Sequence, residues 1–320
     1  MIKKILLYNC FHLGDIFFSQ PIVRQLCMFN PHIEFTLAIK YCSYLFCEIP
    51  NLKIIIIDKN DRLEQHHNAS TYFVVDKGTI AINLWIFAIA QNSWDLCHFI
   101  EVSLPNMQKQ FFSIIKKINR EYDVRIYFPL FDLPSLLPVL PSRTDISRFQ
   151  DWLTHSKYKQ TILYFNYRPM SGQKVPVDDH DSVILSLSSL FPENAIIVPK
   201  ISDTLRLRIN QDHENIIDAE HILDCIQIEP TCEHLCKLGK ITLFCSYAII
   251  FDIGACYFHV NNQFLQSKVN IIHVSPTSNF FDKIKSHWKN LSTGRMRLLE
   301  AENQDQVLEK LKTMIQNHSL

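Results

Sequence analysis

Glycine is scarce in this sequence, with six residues in 320. Neither the GxGxxG turn of a dinucleotide-binding unit nor the GxxxxGK[ST] phosphate loop occurs, and both need glycine where backbone approaches phosphate. A dehydrogenase and a P-loop ATPase are therefore disfavoured. An excess of one charge is absent as well, since Lys plus Arg and Asp plus Glu both number 32. No global field draws the chain to nucleic acid or to an anionic membrane, which leaves only local basic patches. Long apolar runs are missing too. The longest stretch, Thr79 to Ala90, is interrupted by Asn83 and ends at Gln91-Asn92-Ser93, well short of the ~20 residues of a spanning helix. At the start of the chain Lys3 and Lys4 precede only Ile5, Leu6 and Leu7 before Tyr8, Asn9 and Cys10, too short a run for a secretory signal. The expectation is a chain that starts at Met1 and works in the cytoplasm, with peripheral membrane contact as a compatible partner interaction.

Disulfide spacing is the next absence. Ten cysteines are spread through a chain that is 47% hydrophobic, enough apolar material for two ordinary cores without covalent staples. They read as reduced thiols. Cys225, Cys232 and Cys236 with His221 and His234 contain enough ligands for zinc, yet Cys232 and Cys236 are four apart on a helical stretch, without a CxxC knuckle, and read as buried core cysteines.

What is present is an alternation. Ile5–Tyr8, Phe35–Ile39, Ile54–Ile57, Tyr72–Val75 and Val124–Phe128 read as strands, with helical patterns after Asp15 and over Phe111–Ile118 and a further helix-compatible stretch at Tyr44–Cys47. Such alternation argues for a parallel sheet covered on both faces. Four prolines at 129, 134, 138 and 141 then break any long helix or central strand, so the domain connection belongs there or shortly after. The alternation restarts with strands at Ile162–Phe165, Ala195–Val198, Ile216–Ala219, Ala248–Phe251 and Val269–Val274, and helices at Val183–Leu190 and Leu235–Phe244. Val307, Leu308, Leu311, Met314 and Ile315 share one face of a C-terminal helix. The expected organisation is two Rossmann-like α/β domains, residues 1–150 and 151–320.

Chemistry-bearing residues follow the strands. Leu13-Gly14-Asp15 comes after the first strand, with Pro21 beyond it and a leucine-containing helix following. In an open α/β sheet that loop is a ligand-binding position. In the second half, Ala248-Ile-Ile-Phe-Asp252-Ile253-Gly254-Ala255 ends a strand and precedes His259, and Val274-Ser275-Pro276-Thr277 ends the last one. Small residues opening a helix let amides approach a phosphate. In this order the three segments resemble the signatures of glycosyltransferase family nine, the heptosyltransferases. Two positions depart from its pattern, Ile253 where the family has a hydroxyl and Ser275 where it has glycine, and His259 stands two residues late.

The resemblance implies a GT-B fold, with two facing Rossmann-like domains, the active site in the cleft between them and the C-terminal helix across the junction. It implies an inverting, metal-independent transfer from a nucleotide-diphosphate sugar to an acceptor hydroxyl of a glycan, glycolipid or protein. That sugar nucleotide would be a substrate, and no further cofactor is implied. The first domain would bind the acceptor and the second the donor. Asp15 would be the base, a carboxylate whose basicity rises with desolvation; its other reading is a cap on the following helix. Arg168 and Lys174, after the first strand of the second half, would offset the charge of the departing diphosphate with the amides near Gly254, and Asp252 and Thr277 would complete the donor site; otherwise they belong to a solvated loop and a buried strand end. His12, Gly14 and His259 would bind or support the acceptor. Trp85 either stacks on a sugar or packs in the core, and core packing suits its apolar neighbours better. Two rivals on the same fold are a nucleotide-sugar 2-epimerase and an inactive GT-B-like binding protein.

Overall fold

The computed structural model describes residues 2–10, 13–58, 63, 71–85, 104–132, 134–167, 175–223, 231–251, 258–276 and 295–317, with backbone alone at 13–15, 104–107 and 134. The chain divides into two compact units, residues 1–143 and 144–320.

The first unit contains β1 (Lys4–Asn9), α1 (Leu13–Phe29), β2 (Glu34–Ile39), β3 (Leu52–Ile56), β4 (Tyr72–Asp76), β5 (Thr79–Asn83) and α2 (Leu104–Tyr122). Its sheet runs β3-β2-β1-β5-β4. Pairings of β1 with β2 and β5, and of β2 with β3, are parallel, whereas β4 returns antiparallel to β5. Central β1 buries Ile5, Leu7 and Tyr8 on both faces, as a strand covered on two sides must. The β4–β5 hairpin closes through Lys77-Gly78, where the Asp76 carboxylate accepts from the Gly78 amide at 2.7 Å.

Val124–Phe128 is not a strand. Its alternation is real, with Val124, Ile126 and Phe128 buried and Arg125 and Tyr127 exposed, but its polar backbone groups are satisfied by side chains instead of a ladder. Asn119 donates to the Ile126 carbonyl at 2.8 Å and accepts from its amide at 2.9 Å. Asn30 makes the same pair of bonds with Tyr127, at 2.8 and 2.7 Å. Farther along the proline-rich stretch, Gln20 does so with Val139, and Glu48 accepts from the amides of Ser142 and Arg143. A carboxamide presents one donor and one acceptor side by side, so it can imitate a neighbouring strand for one residue. The strand position beside β1 is filled by Thr79–Asn83, which periodicity marks only as an apolar run.

The second unit contains α3 (Ser147–His155), β6 (Gln160–Tyr164), α4 (His180–Leu190), β7 (Asn194–Val198), α5 (Asp203–Arg208), β8 (Ile216–Asp218), α6 (Ala219–Leu223), α7 (Cys232–Thr242), β9 (Tyr247–Phe251), β10 (Asn270–Pro276), β11 (Met296–Ala301) and α8 (Gln304–Gln316). Its sheet is parallel throughout, in the order β11-β10-β9-β6-β7-β8. Numbered from β6, that is the doubly wound order of a Rossmann fold. The core is built from Ile162, Ile196, Ile249 and Ile272 of the sheet against Val183 and Leu187 of α4. Val307, Leu311 and Ile315 of α8, the face expected to pack across the domain junction, are buried in this same core. Side-chain caps start four of the helices: Asp179, Ser202, Thr231 and Asn303 each accept an amide hydrogen from the first turn. Strand β11 is absent from the sequence reading because Met-Arg-Leu-Leu-Glu-Ala is composed of good helix formers; pairing with β10 overrides that preference.

Asn30 is fully buried and also donates to the Leu26 carbonyl. Replacing it by alanine leaves the Tyr127 backbone groups without their partners, and urea unfolding of Asn30→Ala should show a loss of about 1–3 kcal/mol.

Candidate functional site

Parallel pairing aligns the carboxyl ends of neighbouring strands. In the second unit β6, β9 and β10 are consecutive neighbours and end at Tyr164, Phe251 and Pro276. Strand order reverses between β6 and β9, which is the switch point where open α/β sheets leave a ligand crevice. Arg168 and Lys174 follow β6 in the chain, Asp252 and Gly254 follow β9, and Thr277 follows β10. All five lie outside the described residues, as does His12. In the first unit the switch point falls between β1 and β5. Gly14 and Asp15 occupy the first turn of α1, directly after β1.

The described residues at the second switch point form an aromatic floor. Tyr164, the last residue of β6, and Phe251, the last of β9, are fully buried with ring centroids 5.3 Å apart. The imidazole of His180 packs edge-on to Phe251 at 4.8 Å, and its Nδ1 is 2.9 Å from the Tyr164 hydroxyl. This contact anchors the start of α4 beside the end of β6. Burial keeps the Tyr164 phenol protonated by pushing it well above its ordinary range, an effect to which Asp179 and Asp181 add.

In a dinucleotide-binding Rossmann unit the pyrophosphate sits at the start of the helix that follows the first strand. Here that helix, α4, begins among carboxylates. Asp179 accepts from the amide and hydroxyl of Ser182 and pairs with Arg208 at 3.3 Å. Hydrogen bonds from Ser182, then the Arg208 cation, hold its carboxyl below the usual range. Asp181 accepts from the hydroxyls of Ser202 at 2.8 Å and Thr204 at 2.6 Å. With Asp178 adjacent in the chain, the terminus is occupied by its own anions and repels a phosphate. A diphosphate at this sheet edge is thereby directed away from α4.

His259, just after the residues that follow β9, is fully buried. Its ring lies 4.4 Å from Phe165, edge to face. The Thr242 hydroxyl donates to the Leu238 carbonyl at 2.8 Å, which uses its one hydrogen, and lies 2.6 Å from His259 Nδ1. It follows that Nδ1 carries the ring proton and donates to Thr242, leaving Nε2 as a lone-pair acceptor. Nε2 has no hydrogen-bond partner among the described residues. Burial lowers this imidazole to about 3, so it is neutral and cannot balance a phosphate charge. Thr242 and the Tyr164–His180–Phe251 floor carry no motif and are invisible to spacing rules. Trp85 is buried, with its amide donated to Asn83 Oδ1. Cys225 of the cysteine cluster lies outside the described residues. Among the described residues no group of three His, Cys, Asp or Glu side chains could hold a metal ion, and no helix is long and apolar enough to cross a membrane.

No protein-family model matches the sequence, and no curated protein matches it in a sequence comparison. Among solved structures, the chain is similar to the glycosyl transferase family 9 protein of Veillonella parvula, with a TM-score of 0.55 and 14% identity over 99% of this chain and 91% of that one. The fold is of the GT-B type. Two further similar structures are E. coli heptosyltransferase WaaC with ADP, at 11% identity, TM-score 0.48 and coverage of 99% and 98%, and a putative UDP-N-acetylglucosamine 2-epimerase from Listeria monocytogenes, at 11%, 0.46, and 100% and 89%. At such identities the likeness is one of fold alone, and activity has to be argued from residues.

His234 and His259 are both buried and neutral in the folded protein, at about 4 and about 3. The unfolded chain protonates them below about 6.5, so their contribution to stability is complete above that pH and is lost as pH falls toward 4 and 3. Urea midpoints should drop between about pH 7.5 and pH 5, and the drop should be smaller in His259→Gln.

Proposed function

We propose that the protein is an inverting glycosyltransferase that moves a sugar from a nucleotide-diphosphate donor to an acceptor hydroxyl, as a heptosyltransferase does. The observation that carries the reading is strand order. Two segments that resemble family-nine signatures lie at the ends of β9 and β10, and the basic residues Arg168 and Lys174 follow β6, the three being adjacent parallel strands at a Rossmann switch point. The acidic start of α4 adds to it, because it disfavours dinucleotide binding in the alternative position on the same sheet edge.

In this reading the second unit holds the donor. Arg168 and Lys174 offset the charge that builds on the leaving diphosphate, and amides around Gly254 and Thr277 bind its oxygens with Asp252 fixing the turn. The first unit presents the acceptor near His12 and Gly14. Asp15 takes the proton of the acceptor hydroxyl as that oxygen attacks the anomeric carbon from the face opposite the diphosphate, so the bond to the leaving oxygen breaks as the new one forms. The proton ends on the Asp15 carboxylate and the electron pair on the diphosphate. His259 supports the site from beneath as a neutral acceptor and does not touch phosphate. The work takes place in the cytoplasm, where nucleotide sugars are made, on a glycan, glycolipid or protein acceptor.

A screen of nucleotide sugars by thermal shift should identify a donor that raises the melting temperature, and transfer should then release free nucleoside diphosphate in step with acceptor consumption. An isomerised nucleotide sugar appearing without acceptor would overturn the transferase reading. Asp15→Asn is expected to cut transfer by ~10²- to 10⁴-fold while leaving donor affinity in place. Because asparagine caps a helix about as well as aspartate, full activity in this variant would assign Asp15 to the helix instead. Arg168→Glu should weaken donor binding with little effect on unfolding.

A further inference from the structure

The second unit carries a cavity that the chemistry proposed above does not use. Its volume is about 560 Å³, within the ~300–1,000 Å³ typical of small-molecule sites. Asp151, Trp152 and His155 of α3 form one wall, Lys157 and Tyr158 in the connection to β6 form another, and Ile217 of the edge strand β8 closes it. That connection leads into the amino end of β6, so the cavity lies away from the carboxyl edge at Tyr164 and Phe251. The frame is fixed. Phe149 is fully buried and anchors α3, with the Trp152 ring 5.8 Å from its own. The Tyr158 hydroxyl donates to the Glu214 carbonyl at 2.9 Å. Trp152 is only partly buried, so its indole is open to the cavity.

The polar groups beside the indole decide what fits. His155 Nδ1 lies 2.8 Å from the Asp151 carbonyl, which can only accept, so Nδ1 carries the hydrogen and Nε2 of the neutral ring is an acceptor. Neither Nε2 nor the Asp151 carboxylate has a hydrogen-bond or ion-pair partner among the described residues. Both residues are exposed and stand four apart, on one helix face. A ligand here must therefore bring hydrogen-bond donors. A carboxylate or a fully ionised phosphate brings none, and it meets the Asp151 charge. A cation is disfavoured as well, because the Lys157 ammonium already lies 5.5 Å from the Tyr158 ring centroid while pairing with Glu214 at 3.6 Å. A second cation against that wall would be repelled. An apolar side chain would strip water from two unpaired acceptors and return nothing to them. What remains is a neutral molecule with an apolar face and several hydroxyls. A pyranose has both, with C–H bonds to lie against an indole and a rim of hydroxyls that donate.

We propose that the cavity formed by Asp151, Trp152, His155 and Tyr158 binds an uncharged pyranose unit of a glycan, separately from the residues assigned to transfer. The C–H face of the sugar packs on Trp152, one hydroxyl donates to the Asp151 carboxylate and another to His155 Nε2. Such a site retains a glycan of several sugars without engaging the carboxyl edge of the sheet.

Saturation-transfer NMR on the full-length protein tests it, with methyl β-D-glucopyranoside, methyl β-D-galactopyranoside, methyl α-D-mannopyranoside and N-acetylglucosamine as probes. Adenosine and choline serve as the flat-base and cationic comparisons. At least one sugar should bind with a Kd of about 1–10 mM, and its signal should be strongest for protons on one ring face. Asp151→Ala should weaken binding about tenfold, since it removes a charged acceptor. Its melting temperature should stay near that of the wild type, because the residue is exposed. Trp152→Ala should bind more weakly still, and Trp152→Phe, which keeps an aromatic face and the packing on Phe149, should recover part of the loss. The proposal is overturned if none of the four sugars binds, or if Asp151→Ala binds them as tightly as the wild type. It is also overturned if these substitutions abolish binding of adenosine or choline and leave sugar binding intact. None of the readouts uses a nucleotide sugar, so failure of the transfer reading would not alter them.

Discussion

Parallel pairing is the constraint on which the chemistry of this chain depends. An antiparallel neighbour would send alternate loops to opposite edges of a sheet, whereas five parallel pairings in the second unit send every carboxyl end to one edge. Strand ends separated by about a hundred residues of chain, at Tyr164 and Pro276, are thereby brought to a common edge. The cost is burial on both faces. It is met by β9, in which Tyr247, Ala248, Ile249, Ile250 and Phe251 are all buried, and by helices α4 and α8 closing one face of the core.

The irregular part of the first unit obeys the same requirement, that buried backbone polar groups be paired, by other means. Residues 124–141 are rich in proline and cannot join a ladder for long. Three carboxamides, two on α1 and α2 and one just past the end of α1, stand in for the missing strand: Asn119 for Ile126, Asn30 for Tyr127 and Gln20 for Val139. These clamps connect the helices to the chain leading out of the unit. They also settle which side chains of the segment turn outward, and so create the surface on which Tyr127 and Leu130 are displayed.

Polar groups buried near the carboxyl edge of the second sheet have similarly defined roles. A single hydroxyl, that of Thr242, sets the tautomer of His259 by spending its own proton on Leu238. A lone pair on Nε2, in a ring kept neutral by burial, is a hydrogen-bond acceptor and never a counter-ion. Likewise the carboxylates at the start of α4 turn a position that often binds phosphate into one that repels it. Charge placement, not the presence of a helix terminus, decides where an anion goes.

The sequence by itself determined the class of fold. Alternating apolar runs and helical patterns need two-sided burial, which is why β1, β2, β6, β7, β9 and β10 and helices α4, α7 and α8 were all legible from composition and period. Motif order likewise pointed to the ends of β1, β9 and β10. Tertiary structure decided what local pattern does not encode. It made a strand of the helix-prone Met296–Ala301 by offering the free edge of β10, and denied strand pairing to Val124–Phe128 because two asparagines had already taken its amides. It also joined Tyr164, His180 and Phe251, and His259 with Thr242, residues that share no spacing rule. The physical reason is the same in each case. Local preferences are worth tenths of a kcal/mol to about 1 kcal/mol per residue, whereas a buried polar group left unpaired costs about 1–3 kcal/mol, so the partner available in space overrules the neighbour in sequence.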